Sequence, residues 1–244
     1  MTTIHTETIT ITSGDLSLPC YWARPQADGV YPAVVVVQEI FGVNVHIRDV
    51  ADRIAAEGYV AIAPPIYERQ VKGLELGYTE TDIVTGREYK NATQASELLQ
   101  DIQAVIDYLY TQPFVKTTGV GTIGFCFGGH VVYLAAVLPE VQATASFYGA
   151  GIPTWQPGEP TPTLSRTPAI HGTLYAFFGE DDASIPPEHV QAIATTLQAN
   201  QVEHKIFTYD GAGHGFFCDR RSSYNETAAA AAWVEVKQLF QARL

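Results

Sequence analysis

One cysteine of this chain occupies a position where a reactive thiol is expected. Cys126 lies at the centre of Gly124-Phe-Cys-Phe-Gly128, which has the glycine spacing of a nucleophile elbow. Residues 119–124 predict a short buried strand before it, and residues 130–138 predict a helix after it. A nucleophile on so sharp a turn takes a strained backbone, and flanking side chains would collide with the neighbouring strand and helix. The segment predicts an attacking thiol, with a buried, inert cysteine as the alternative.

An acid and a base follow this cysteine along the chain. Asp181 and Asp182 come after a predicted strand at 174–178, and His214 follows another at 204–209. The order nucleophile, acid, base is that of the α/β-hydrolases. In such a triad a thiolate attacks, an imidazole carries the proton and a carboxylate orients the imidazole. The three segments together predict a catalytic triad.

Composition narrows the class of protein. The chain has 244 residues, of which 46% are hydrophobic, and this length suits one α/β domain over residues 1–244. A net charge of −12 argues against nucleic acid or an anionic membrane as a partner. Three cysteines imply no disulfide framework, the first residues resemble no signal peptide, and no run approaches ~18 apolar residues. A cytoplasmic protein with no membrane span is expected.

Hydrophobic patterning predicts the elements that position these residues. Further strands are predicted at 6–12, 18–23, 32–37, 59–63 and 143–148, and further helices at 45–57, 93–111, 187–199 and 222–244. Alternating strands and helices predict a mostly parallel, twisted sheet covered by helices on both faces. Such sheets carry their sites beyond the carboxyl ends of the strands, which is where the three candidate residues fall.

Two stretches are predicted to be loops, namely 67–91 and 149–172. The second stands where many hydrolases of this class insert a helical cap. Its ~24 residues are too few for a cap domain of ordinary size. We therefore expect an open cleft and a small substrate.

Three motifs give the chain a family resemblance. They are Gln38-Glu-Ile-Phe-Gly42 after the third strand, the elbow around Cys126, and Phe147-Tyr-Gly149 after the next strand. With these motifs the chain resembles the dienelactone hydrolase family over nearly its whole length. The resemblance implies an α/β-hydrolase fold, cofactor-free and metal-free hydrolysis of a dienelactone-type ester ring (carboxymethylenebutenolides), and a small-molecule ester or lactone as the partner. A monomer or small homo-oligomer is expected.

The resemblance also implies roles for the triad residues. Cys126 would be the nucleophile, His214 the base and Asp182 the acid. Asp182 is preferred to Asp181 because its spacing to Pro186 matches the family's Asp-x-x-Val-Pro pattern. Glu39 would be an extra carboxylate that takes the thiol proton, which its surroundings could favour by raising its pKa. The alternative for Glu39 is a capping acid.

Backbone and aromatic groups complete the implied site. The N–H groups of Ile40 and Phe127 would form the oxyanion hole. Phe41 and Tyr148 would line the substrate pocket.

The arginines depart from the family pattern. The family has an arginine four residues after the catalytic histidine, where this chain has Cys218, with Arg220 and Arg221 just beyond. A second arginine would come from segment 67–91, with Arg87 and Arg69 as candidates. We predict Arg87 and Arg220 as substrate-binding residues. Without a bidentate arginine the carboxylate of a dienelactone has no firm anchor, so this departure affects the expected substrate and not the expected hydrolase activity.

Three functions are compatible with the predicted site. The first is a thiol esterase or lactonase that works through an acyl thioester. The alternatives are a non-catalytic binding protein and a thiol redox sensor on the same scaffold. His130 is predicted to be a packed helix residue rather than a metal ligand, His46 a surface or capping residue, and Cys218 unreactive.

Overall fold

A computed structural model describes residues 2–244, and within them eight strands form one sheet. The strands are β1 (Ile4–Ser13), β2 (Leu16–Pro25), β3 (Tyr31–Val37), β4 (Val60–Ala63), β5 (Val115–Phe125), β6 (Val141–Phe147), β7 (Thr173–Gly179) and β8 (His204–Tyr209). Their order across the sheet is β1-β2-β4-β3-β5-β6-β7-β8. The β1–β2 and β2–β4 pairs are antiparallel and every later pair is parallel. The predicted, mostly parallel sheet is therefore present.

Helices cover both faces of this sheet. They are α1 (Val45–Ala56), α2 (Glu80–Asn91), α3 (Ala95–Tyr110), α4 (Phe127–Ala135), α5 (Pro187–Ala199) and α6 (Glu226–Arg243), with a 3₁₀ helix at Thr163–Ala169. Val34 and Val36 of β3 belong to the core that includes α1 and α6. Val35 and Val37 point the other way, into the core beneath α3 and α4. β3 is apolar throughout because its successive side chains enter cores on opposite faces of the sheet.

The prediction that 67–91 is a loop was wrong for its second half, which is α2. Thr79 caps this helix, accepting from the Asp82 backbone N–H while the Asp82 carboxylate accepts from the Thr79 N–H. Gly86 is the helix's only buried residue, so α2 has no apolar stripe from which a sequence pattern could reveal it. A Cβ at Gly86 would lie 2.4 Å from the Ile40 carbonyl oxygen. The helix docks by backbone contact, directly over the loop that follows β3.

The segment 149–172 is mostly irregular, as predicted, and contains the one short 3₁₀ helix. His130 of α4 holds it in place, with Nδ1 2.9 Å from the Ala150 carbonyl oxygen and Nε2 2.7 Å from the Thr163 hydroxyl. His130 is thus a packed core residue. Among residues 2–244, no helix has the length and apolarity needed to cross a bilayer.

Candidate active site

The elbow after β5 presents Cys126 on a strained turn. Cys126 has a φ of 54°, a left-handed conformation that side chains rarely adopt. A Cβ at Gly124 would lie 2.1 Å from the Gly128 oxygen, and one at Gly128 would lie 2.3 Å from the Val37 oxygen. The Cys126 N–H donates to the Phe147 oxygen at 3.0 Å. These glycines let β3, β5 and α4 approach closely enough to hold the strained residue.

His214 and Asp182 face each other from the loops after β8 and β7. His214 Nδ1 lies 2.7 Å from Asp182 Oδ2. The buried Asp182 also accepts a 2.8 Å hydrogen bond from the Ser184 N–H, which fixes its carboxylate. The neighbouring Asp181 is exposed. The geometry therefore distinguishes the two aspartates and places Asp182 against the imidazole.

The electrostatic surroundings of His214 favour its protonated form. Burial by itself lowers the pKa of His214, but the charge of a Cys126 thiolate and hydrogen bonds with Asp182 and Cys126 raise it from 6.5 to about 10. A protonated imidazole beside Cys126 stabilises a thiolate there, which is the reactive form of a thiol.

Glu39 is buried beside this pair. Its Oε1 accepts a 2.9 Å hydrogen bond from Arg221 Nη1, while Oε2 has no hydrogen-bond partner among residues 2–244. Burial raises the pKa of Glu39, although the positive charges of Arg221 and His214 partly offset this effect. A carboxylate with a raised pKa and one free oxygen is able to accept a proton.

Cys126, His214 and Arg221 line one cavity of about 310 Å³, and Asp182 and Glu39 lie outside its lining. Eleven residues line it: Ile40, Phe41, Ile83, Arg87, Lys90, Cys126, Phe127, Ala150, Ser184, His214 and Arg221. Phe127 is the first residue of α4, whose N–H has no partner within the helix. Ile40 also lines the cavity, and no backbone acceptor for its N–H is found among residues 2–244. Both N–H groups are thus available to a ligand.

Three positive side chains line the cavity, and two of them were not predicted. Arg87 and Lys90 come from α2. The Lys90 ammonium lies 4.6 Å from the centre of the Trp155 ring, and burial lowers the pKa of Lys90. Because 67–91 was predicted to be a loop, no helical face indicated that Lys90 would join Arg87.

Arg221 is the third cation, rather than the predicted Arg220. Its guanidinium lies over the Phe41 ring, 5.6 Å from the centroid. Gly215 makes room for it, because a Cβ there would lie 2.4 Å from Arg221 Nη1. Arg220 is exposed, lies 3.7 Å from Asp219 and lines a different cavity. The glycine after the histidine was the one sequence signal for a close approach.

Two other candidates lie outside the cavity wall. Arg69 Nε donates to Asp101 of α3 at 3.0 Å, so its guanidinium is bound to α3. Tyr148 is fully buried and packs edge-on against His214, with 5.2 Å between ring centroids. Its hydroxyl has no hydrogen-bond partner among residues 2–244.

Comparison with known proteins identifies the family of this chain. Residues 18–244 match the sequence profile of the Dienelactone hydrolase family. The chain belongs to this family. A "Putative carboxymethylenebutenolidase" of Synechocystis sp. is 57% identical over 241 residues, which is 99% of this chain and 98% of that protein.

Other members of the dienelactone hydrolase family extend the comparison. A crystal structure of a "Putative Dienelactone Hydrolase" from Klebsiella pneumoniae superimposes with a TM-score of 0.89 at 32% identity, covering 98% of this chain and 99% of that one. A "Probable 2-oxo-3-(5-oxofuran-2-ylidene)propanoate lactonase" of Bradyrhizobium sp. is 29% identical over 91% of this chain and 88% of its own length. The predicted α/β-hydrolase fold without a large cap domain is confirmed, and the protein is a carboxylic ester hydrolase.

Proposed function

We propose that this dienelactone hydrolase family member opens a small unsaturated lactone that carries a carboxylate, using Cys126, His214 and Asp182 as its triad. The observation that carries the proposal is the 2.7 Å contact between His214 and Asp182 at a cavity shared by His214 and Cys126. Each residue follows the carboxyl end of a parallel strand, where α/β sheets place their sites.

The substrate class is supported by the charge of the cavity and by two relatives. Arg87, Lys90 and Arg221 give the wall three positive groups, which suit a carboxylate. The names of the Synechocystis and Bradyrhizobium relatives both describe an unsaturated lactone bearing a carboxylate. A volume of about 310 Å³ is at the small end of ligand pockets. A compact anionic lactone fits both the charge and the volume of the cavity.

The first half of the reaction transfers the acyl group of the lactone to Cys126. The Cys126 thiolate attacks the lactone carbonyl carbon, a C–S bond forms, and the carbonyl electrons move to oxygen. The N–H groups of Ile40 and Phe127 stabilise that oxyanion. When the tetrahedral centre collapses, the ring C–O bond breaks and the leaving oxygen, still attached to the acyl chain, takes a proton from the His214 imidazolium.

Deacylation reverses these roles. His214, now neutral, takes a proton from water as the water attacks the thioester carbonyl. The C–S bond breaks, the Cys126 thiolate returns and the ring-opened acid leaves. Asp182 keeps Nδ1 of the imidazole protonated, so Nε2 handles the transferred proton.

Glu39 and Arg221 link substrate binding to this chemistry. A substrate carboxylate that binds Arg221 competes with Glu39 for the same guanidinium. A Glu39 carboxylate released from that ion pair has a higher pKa, so it becomes a better acceptor for the thiol proton. Binding of an anionic substrate would thereby activate the nucleophile.

The test is turnover of a lactone panel, with and without a carboxylate, by the wild type and by Cys126→Ala. The wild type should show an acylation burst followed by steady turnover, and should prefer carboxylate-bearing lactones. Cys126→Ala should lose both phases, whereas Cys20→Ala, which removes a thiol buried elsewhere in the core, should retain them. Turnover by Cys126→Ala would overturn the triad, and indifference to the carboxylate would overturn the substrate class.

A further inference from the structure

Three chemically different side chains converge in the core behind the active-site cavity. Glu39, His46 and Cys218 are all buried, and one potential ligand atom from each lies within 4.8 Å of the others. The prediction that His46 is a surface or capping residue was wrong. His46 is 1% exposed, and its ring packs edge-on against Phe125, with 5.5 Å between centroids.

Several polar atoms of this cluster have no partner. Both ring nitrogens of His46 and the Oε2 atom of Glu39 are buried without a hydrogen bond among residues 2–244. An unpaired buried polar group costs free energy, and such groups are uncommon in native structures. Here they occur together, beside a thiol. The cluster has the composition and the unused lone pairs of a ligand set.

We propose that Glu39, His46 and Cys218 form a binding site for a thiophilic divalent cation such as Zn²⁺, Co²⁺ or Cd²⁺. Zn²⁺ takes sulfur, nitrogen and oxygen ligands at about 2.0–2.3 Å in tetrahedral geometry, and three protein ligands leave one position for water. Neither ring nitrogen of His46 has a hydrogen-bond partner among residues 2–244, so the imidazole is free to coordinate. Glu39 can bind through Oε2 while Oε1 stays with Arg221.

Charge and surroundings fit this assignment. Coordination converts the Cys218 thiol to a thiolate and releases its proton, so thiolate and carboxylate together balance the two charges of the cation. The Tyr78 hydroxyl now accepts from Asn44 Nδ2 at 3.1 Å and from the Cys218 thiol at 3.3 Å. Once the thiol proton has left, the Tyr78 O–H can donate to the sulfur instead. Such an outer hydrogen bond orients a metal ligand.

A separate cavity provides the path of entry. It has a volume of about 380 Å³ and is lined by His46, Tyr78 and Arg220, among others, but not by Cys126. The positive charges of Arg53, Arg220 and Arg221 near His46 repel any divalent cation, so binding depends on the strength of the ligand bonds. Thiolate and imidazole ligands favour Zn²⁺, Co²⁺ and Cd²⁺ over Mg²⁺ and Ca²⁺.

The experiment titrates Cys126→Ala protein with Co²⁺ and follows absorption. This background removes the catalytic thiol as a competing ligand and makes the result independent of turnover. We expect one equivalent of Co²⁺ to give a sulfur-to-cobalt band in the near ultraviolet and visible bands of tetrahedral cobalt. Mg²⁺ in large excess should not displace the ion, whereas Zn²⁺ should.

Matched variants assign the ligands. Added to Cys126→Ala, Cys218→Ala should abolish the sulfur band and His46→Phe should weaken binding by at least ~10-fold, while Cys20→Ala should leave both unchanged. No band in Cys126→Ala, a band that survives Cys218→Ala, or loss of the band with Cys20→Ala would overturn the site. Should Cys218→Ala not fold, His46→Phe decides, because unchanged Co²⁺ affinity in that variant contradicts the proposal.

The consequence for the enzyme rests on the proposed function. A cation that holds Glu39 through Oε2 keeps this carboxylate from taking the thiol proton. In the wild type, Zn²⁺ should then slow lactone turnover without competing with substrate. If Co²⁺ binds as described but Zn²⁺ leaves turnover unchanged, the role of Glu39 in the reaction is wrong while the metal site stands.

Discussion

The two walls of the active-site cavity are built in different ways. On the wall formed by the loops after β5, β7 and β8, Cys126 is held by close-packed glycines and Asp182 has hydrogen bonds on both oxygens. The opposite wall carries Arg87 and Lys90 on α2, a helix whose only buried residue is Gly86. The first wall is held by backbone contacts with the sheet. The second packs through the Gly86 backbone against Ile40 and through Lys90 against Trp155, and it brings positive charge to the cavity.

The catalytic wall should be the more sensitive to a conservative change. Asp182→Asn keeps the shape of the side chain but removes the charge that holds the His214 tautomer, so we expect kcat to fall by about 10⁴-fold. The matched control is Asp181→Asn, one residue away and exposed, which should change kcat by less than ~2-fold. Steady-state kinetics on the two variants compares them directly. Little loss in Asp182→Asn, or an equal or larger loss in Asp181→Asn, would overturn the assignment of Asp182.

The pH dependence tests the same wall. Because the pKa of His214 is raised from 6.5 to about 10, the imidazolium should persist through neutral pH, and kcat/KM should fall only above about pH 10. In Asp182→Asn this alkaline limb should move toward neutral pH. The raised pKa also means that His214 stabilises the fold fully below pH 6.5 and loses that contribution as the pH rises through about 10.

Profiles of kcat/KM from pH 5 to 11, with thermal unfolding at each pH, measure both effects. An alkaline limb near pH 6.5 in the wild type would contradict the raised pKa of His214.

The cations that line the cavity should affect substrate choice, and Arg221, from the loop after β8, tests this most directly. Arg221→Met removes the guanidinium that a substrate carboxylate would bind, and we expect kcat/KM for carboxylate-bearing lactones to fall by about 10–100-fold. Uncharged lactones should lose less. Arg220→Met is the control, since this neighbouring arginine points into another cavity. If both variants discriminate between lactones as the wild type does, the assignment of Arg221 fails.

A change at the contact between Gly86 of α2 and the Ile40 carbonyl should have the smallest effect on activity. Replacing a helical glycine with alanine usually stabilises a protein by about 0.5–1 kcal/mol. Gly86→Ala should instead destabilise it by about 1–3 kcal/mol, because the new Cβ would press on the Ile40 carbonyl. We also expect a several-fold fall in kcat/KM as α2 and its cations move outward. Val84→Ala, on the exposed side of the same helix, should be neutral; a stabilising Gly86→Ala would mean that α2 is free to shift.

Local patterns along the chain were enough to predict most of the fold. The bounds of α5 and β8 coincide with their predicted residues, and β3 and α3 differ from theirs by two residues or fewer at each end. Apolar periodicity reports these elements because each buries a regular face. It missed α2, which buries a glycine, and it placed His46 at the surface although the residue belongs to the apolar face of α1. Glycine adds no side chain to an apolar stripe, and histidine is intermediate in how often it is buried.

What the sequence by itself determined was the order and spacing of the reactive groups: the glycines that force the Cys126 turn, the Asp182-to-Pro186 spacing and the glycines around His214. These depend on backbone conformation over a few residues, which neighbouring residue types control. Only the tertiary structure decided which of two adjacent arginines enters the cavity, and that His46 and Cys218 lie beside Glu39. Those outcomes depend on contacts between distant segments, such as Arg221 with Glu39, 182 residues away, and no local pattern contains them.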